Sequence, residues 1–392
     1  MKGSKEEIKA IDLRSDYKVN PIGIHNVAPR LSWRMKAYGK NRKQSAYQIQ
    51  AFKKDSDIKE VLVWDSEKVY SGESVDIPYK GKQLASRERV YWKVRIWDEK
   101  ENVSEWSDEA FFEAGLLNKT DWEAEWICAP ERAAAIYFRK VCNIERQPKT
   151  GRLYISGLGY YEAYLNGKKC GEDVLTPNRT HYVERVYYHT YDITTAIVHG
   201  ENVFGVELGN GWYKGRFGFD GGQSEIFGDK FALLCDLVVE FKDGTKSIIK
   251  SDTSWKCMES KVEFSGIYDG EVQDATFKSD KTYEVSEIEL PYNKISERLS
   301  LPVIVKEEIK PIEVIKTPAG ETVLDMGQNM VGWIKFRNNA PKGQEIKLQY
   351  GELLQDGNFY RDNLRTAKAE FIYISNGEDV EVRPYFTFYG FR

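Results

Sequence analysis

Val90-Tyr91-Trp92-Lys93-Val94-Arg95-Ile96-Trp97 is the stretch whose reading decides the fold class. Val90, Trp92, Val94 and Ile96 are bulky and apolar and alternate with Tyr91, Lys93, Arg95 and Trp97. A period of two predicts a strand with one buried face. Leu233, Cys235, Leu237, Val239 and Phe241 repeat the pattern, then meet Lys242-Asp243-Gly244, a hairpin turn signal, before Ile248. Tyr161, Ala163 and Leu165 lead into Asn166-Gly167, a pair that tolerates the positive φ of a type I′ turn. Ile346, Leu348 and Tyr350 form another alternating run, and Tyr385-Phe386-Thr387-Phe388 reads as a further strand. Helical pieces are expected only around 55–61 and 192–198. The chain is therefore expected to be all-β, with β-sandwiches in series.

Composition agrees. Of 392 residues, 41% are apolar and 30% charged, enough for real cores under a solvated surface. The 10 Trp, 24 Tyr and 18 Phe suit pleated, half-buried sheets, and a few could serve as platforms for sugar rings. The net charge of −4 is spread along the chain without a basic stripe, which excludes nucleic acid as a partner class. The start, Met1-Lys2-Gly3-Ser4-Lys5-Glu6-Glu7, has no apolar stretch behind it, and no apolar run approaches the roughly 18 residues of a membrane span. Cys128, Cys142, Cys170, Cys235 and Cys257 are scattered and odd in number, as expected of reduced thiols in a cytoplasmic protein.

Segments follow from punctuation. Residues 8–117 end on the strand above and Ser104-Glu105-Trp106-Ser107, which suits a fibronectin type III-like sandwich. Asn118-Lys119-Thr120-Asp121 links to a second segment, 122–300, and 296–301 followed by Pro302 reads as a connector to a third, 301–392. Ending on Tyr389-Gly390-Phe391-Arg392 without a polar tail is expected of a cut chain.

Most catalytic templates fail. There is no GxSxG elbow, P-loop, HExxH or EF-hand loop. Gly205-Val206-Glu207-Leu208-Gly209 lacks a strand–turn–helix setting and reads as strand. His25, His181, His189 and His199 show no metal-ligand spacing and are expected on surface or loops. Glycoside hydrolysis needs two carboxylates about 5–9 Å apart across a sugar bond. With 61 acidic residues the sequence nominates no pair. Asp173, Asp220, Asp229, Asp269, Glu271 and Asp274 stand in Gly-rich or turn contexts, where solvated acids are the default and calcium or sugar ligands the alternative.

Three groups of motifs resemble bacterial α-L-rhamnosidases of glycoside hydrolase family 78. Asn26-Val27-Ala28-Pro29-Arg30-Leu31-Ser32-Trp33 resembles the start of their fibronectin-like domain. Gly159-Tyr160-Tyr161-Glu162-Ala163-Tyr164-Leu165-Asn166-Gly167, Asp173-Val174-Leu175-Thr176-Pro177, Leu208-Gly209-Asn210-Gly211-Trp212-Tyr213 and Tyr268-Asp269-Gly270-Glu271 resemble their jelly-roll domain. Leu324-Asp325-Met326-Gly327-Gln328-Asn329-Met330-Val331-Gly332-Trp333, Asn363-Leu364-Arg365-Thr366-Ala367-Lys368 and Phe386-Thr387-Phe388-Tyr389-Gly390-Phe391-Arg392 resemble the β-sandwich before the catalytic domain, although the family more often has His where Tyr389 stands.

The resemblance implies hydrolysis of terminal α-L-rhamnose, with inversion, by a following (α/α)6 barrel whose Asp-Cys-Pro-Gln-Arg-Asp-Glu-like motif is not found here. The chain is thus expected to support or present rhamnose-containing glycans to an absent catalytic domain and to be inactive alone. A stand-alone calcium-dependent rhamnose-binding module is the alternative, and a hydrolase using unassigned carboxylates a third. Some members hold rhamnose through calcium. Carried over, the sugar or calcium ligands would be Glu172, Asp173, Asp220 and Gln223, with Asp173 on the metal. Glu172-Asp173 departs from the family's Asp-Asn-like pattern. Gln328, Asn329, Trp333, Arg365, Phe391 and Arg392 are expected to face the catalytic domain. No cofactor is required on this reading beyond an optional calcium ion.

Overall fold

A computed structural model of the chain describes residues 8–54, 60–130, 133, 135–218, 221–290 and 294–392. The chain forms two compact units, Met1–Trp122 and Glu123–Arg392.

In the first unit, a sheet of Lys9–Ser15, Arg30–Lys36 and Ile77–Pro78 faces one ordered Ile22–Ile24, Ala110–Ala114, Arg89–Asp98, Gln44–Lys54, Glu60–Asp65. The alternation at 90–97 is realised as read: Val90, Trp92, Val94 and Ile96 are fully buried, and the intervening residues lie on the outer face. Trp33 and Trp92 anchor the core, and the Trp92 indole N–H donates to Ser15 Oγ at 3.1 Å. Their polar ends are thus partnered. The helix expected over 55–61 falls largely outside the described residues; Glu60–Asp65 is strand.

The second unit begins as a sandwich. One sheet runs Lys168–Lys169, Tyr160–Leu165, Gly200–Gly209, Ala135–Ile144, Lys256–Glu259, Tyr283–Glu284. The other runs Ser286–Glu287, Ile127–Cys128, Ala232–Phe241, Pro148–Leu158, Val186–Asp192, Ile295–Glu297, with Lys246–Lys250 paired to Ala232–Phe241. Phe138, Phe204, Val206 and Leu208 from one sheet meet Leu153, Ile155, Leu233 and Leu237 from the other. Gly205–Gly209 is strand, as read. Asn166 and Gly167 both take positive φ, as their hairpin requires. All five cysteines are free.

Several expectations are corrected. Residues 192–198 form turns closed by Ala196 and Ile197 N–H groups on the Ile193 carbonyl, not a helix. The next amide, that of Val198, donates to Asn202 Oδ1 at 3.0 Å and does not continue the turn. Residues 385–388 are irregular, and the strand begins at Tyr389. Pro384 has no N–H to give a ladder, and the next amides bond a side chain instead.

One sheet spans the expected 300/301 boundary. A four-stranded sheet is ordered Val262–Gly266, Gly270–Asp274, Glu370–Ile374, Glu345–Gln349, so it draws on both sides of that break. Gly270–Asp274 and Glu370–Ile374 pair in parallel, Gly270 opposite Glu370. A Cβ at Gly270 would stand 1.7 Å from the Glu370 carbonyl oxygen, and φ there is +105°, so only glycine fits. Phe386 seals the same junction, buried among Ala135, Tyr160, Val174, Leu175, Val262 and Ile267. It lies so close to Gly209 that a Cβ there would come within 2.3 Å of its ring.

The connector also folds back. Ile295–Glu297 runs parallel to Val186–Asp192, the Arg298 amide donates to Tyr188 O at 3.2 Å, and the Val174 amide donates to Val303 O at 2.9 Å.

Candidate functional site

The resemblance placed Asp173 on a calcium ion. The structure places it against the connector. Its carboxylate pairs with the Arg298 guanidinium and contacts His189 Nδ1 at 3.2 Å, beside the Tyr191 hydroxyl. Burial alone would raise this carboxyl, but the His189 hydrogen bond and Arg298 outweigh it and hold it below the usual carboxylate range. His189 is buried in the strand Val186–Asp192, correcting its expected place on a surface or loop, and burial lowers its pKa. A guanidinium on the same oxygen is a poor neighbour for a dication. Glu172 is exposed, the Gln223 backbone pairs with Phe217, and Asp220 lies outside the described residues. Among the described residues no set of three His, Cys, Asp or Glu is grouped to hold a metal ion. Asp173, held by Arg298, does not fit calcium.

The buried acids lie elsewhere. Glu162 sits mid-strand in Tyr160–Leu165 at 2% exposure. Arg383 donates to its oxygens at 2.7 and 3.0 Å and Lys169 at 3.1 Å. Burial would raise Glu162, but Arg383 and Lys169 outweigh it and keep it low. Glu271, expected as a turn acid, is instead buried in the strand Gly270–Asp274. It accepts the amides of Tyr385 at 2.9 Å and Phe386 at 2.7 Å, and the Gln273 side chain at 2.6 Å. Burial pushes its pKa up to about 7 against those donors. Glu207, bonded by the Ser260 hydroxyl, is also raised by burial. Each of these carboxylates is engaged by structural partners. The sequence carried a signal for them: Glu162 and Glu207 interrupt strands whose neighbours are apolar, as a buried, paired charge does.

Residues expected to face a catalytic domain divide. Gln328, Asn329 and Arg365 are exposed. Arg365 has φ +60°, unusual for a residue with a side chain. Phe391 is buried beside Met326, Tyr350, Phe371 and Tyr389, and Trp333 packs half-buried against the same cluster, so both are core. Arg392 turns back onto Asp325, with its Nε 3.1 Å from the carboxylate.

Of the acids read in Gly-rich or turn contexts, Asp269 lines an open site. A cleft of about 270 Å³ is lined by Asn210, Lys214, Arg216, Glu225, Phe264 and Asp269, among others. Arg216 holds Asp269 in a two-point pair at 3.0 and 3.2 Å and also donates to the Thr366 hydroxyl and carbonyl, which fixes the loop after Arg365. Arg179 stacks on Trp212 and Phe217, and Arg216 on Tyr268. Only the Tyr268-Asp269-Gly270-Glu271 and Trp212-Tyr213 motifs pointed here.

With this geometry in place, the likeness to known proteins is specific. Residues 10–118 match the Rha78A-like N-terminal immunoglobulin domain, 146–307 the α-L-rhamnosidase N-terminal domain, and 315–392 the bacterial α-L-rhamnosidase concanavalin-like domain. An α-L-rhamnosidase from Alteromonas sp. (strain LOR) is 34% identical over 95% of this chain and 43% of its own length. The native α-L-rhamnosidase from Aspergillus terreus superposes with a TM-score of 0.92 at 34% identity, over 98% of this chain and 46% of that one. The fold is shared with Streptomyces avermitilis α-L-rhamnosidase complexed with L-rhamnose, at TM-score 0.87 and 24% identity over 98% of this chain and 55% of that one. The chain thus spans about half the length of these relatives. Together with the all-β architecture, these matches place the chain in the bacterial α-L-rhamnosidase family, as its N-terminal portion.

Proposed function

We propose that this chain is the accessory β-scaffold of a cytoplasmic α-L-rhamnosidase. In this role it supports a separate helical catalytic domain that removes terminal α-L-rhamnose from glycans or glycosides, and it does not hydrolyse them itself. The observation that carries this reading is the use of the buried acids. Inverting hydrolysis needs an acid and a base about 6.5–9.5 Å apart with room between them for sugar and water. Here Glu162 is closed off by Arg383 and Lys169, Glu271 by backbone amides, and Asp173 by Arg298. Their work is to hold strands and connector together. On this reading Gln328, Asn329 and Arg365, with the exposed Val331 beside them, face the catalytic domain.

The test is turnover of p-nitrophenyl α-L-rhamnoside by the purified 392-residue chain. The expected result is release no faster than in buffer. Sustained turnover lost in Glu162→Gln or Glu271→Gln would overturn the proposal.

A further inference from the structure

The cleft beside Asp269 combines features that the scaffold role does not use. Most aromatic rings around it are already covered. Trp212 stands edge-on to Phe217 and Tyr268, and arginines lie over all three. Phe264 differs. It lines the cleft, is 40% exposed, and among the described residues has no ring or cation against its face. Gly266 leaves room for that ring, since a Cβ there would stand 3.2 Å from its tip.

The polar side of the cleft is rich in acceptors. Asp269 uses both oxygens on Arg216, yet an ionised carboxylate has about four acceptor positions and keeps some in reserve. Asn210 donates its side-chain amide to Ser265 O at 2.8 Å, and its Oδ1 accepts nothing among the described residues. The Glu225 carboxylate is exposed and takes no ion pair among them. The guanidinium beside Asp269 argues against a bare cation. What fits is a neutral ligand with one apolar face and several hydroxyl donors.

We infer that this cleft is a non-catalytic subsite for a single pyranose unit, with the sugar's apolar face on Phe264 and its hydroxyls donating to Asp269, Asn210 and Glu225. The volume, about 270 Å³, is room enough for one sugar ring. The inference rests on the scaffold reading only for the choice of L-rhamnose as first probe.

The test is titration of the whole chain, followed by backbone amide NMR, with L-rhamnose, D-galactose, D-glucose and D-mannose up to about 50 mM, a range set by the weak affinity of lone sugars. At least one sugar is expected to give saturable shifts at Asn210, Gly266 and Asp269, with Kd on the order of 1–10 mM. Phe264→Ala should weaken binding about tenfold with the rest of the spectrum unchanged, and Phe264→Trp should retain it. Absence of saturable shifts with all four sugars, shifts gathered elsewhere, or unchanged binding in Phe264→Ala would overturn the subsite. That failure leaves the scaffold reading standing, because aryl-rhamnoside turnover decides it separately.

Discussion

Arg383 donates to both carboxylate oxygens of Glu162, at 2.7 and 3.0 Å, although 221 residues of chain separate them. The pair ties the strand Tyr160–Leu165 to the segment that leads into the last strand. Removing Arg383 leaves the buried Glu162 carboxylate with Lys169 alone, whereas replacing both removes that carboxylate and leaves the part-exposed Lys169 on the Asp173 carbonyl. Arg383→Ala should destabilise the second unit by about 3–5 kcal/mol, and Arg383→Met with Glu162→Leu by much less. Urea unfolding of the single and double variants measures the difference. Equal losses would show that the pair is not what holds the segment.

Glu271 gives the second unit a pH dependence of defined sign. Its folded pKa, pushed up to about 7, lies above the ordinary value of 4.5. Between those values the folded chain keeps a proton that the unfolded chain has released. Its contribution is therefore complete below the lower value and lost as pH rises through the upper one. Thermal unfolding from about pH 5 to pH 8 should show this decline, and Glu271→Gln should flatten it. A wild-type slope that persists unchanged in the variant would assign it to another group.

Asp173 should respond to its arginine and not to calcium. Asp173→Asn weakens the clamp on the connector and should cost roughly 3 kcal/mol. Millimolar calcium or a chelator should leave the melting temperature of the wild-type chain unchanged. A rise of several degrees with calcium would show a site that the Arg298 pairing argues against.

Gly270→Ala sets a Cβ 1.7 Å from the Glu370 carbonyl at a φ of +105°. Strand separation or backbone strain must follow. The loss should exceed about 3 kcal/mol and appear as weakened protection in Glu370–Ile374, measured by hydrogen exchange. Wild-type protection there would mean that the parallel pairing does not depend on this glycine.

Strand identity was legible because alternation reports directly which face is buried. Val90 to Trp97 and the Asn166-Gly167 hairpin fold as their patterns predict, while Leu233 to Phe241 is strand as read but buried on both faces, because other elements cover its second face as well. Long-range pairing was not legible. Nothing local to Gly270-Glu271-Val272-Gln273-Asp274 says that its neighbour lies at 370–374, nor that Glu271 will take the amides of Tyr385 and Phe386. Those contacts exist only once distant segments meet, so the sheet that spans 300/301 had no local sign. The partner of Asp173 was hidden for a related reason. Asp173 sits in a turn that reads as solvated until Arg298 arrives from the connector. Asp269 stood out only as one of several acids in turn contexts, and Phe264 carried no pattern of its own, because a cleft is made by the approach of separate segments.

The account turns on residues 123–392 forming one cooperative body in which buried acids and a shared sheet do structural work. Native-state hydrogen exchange in graded denaturant tests this most directly, by comparing amides of Gly200–Gly209 with those of Glu370–Ile374. The prediction is that both groups converge on the same opening free energy and that Arg383→Ala lowers both equally. Opening of 370–374 at a distinctly lower free energy, with 200–209 still protected, would contradict it.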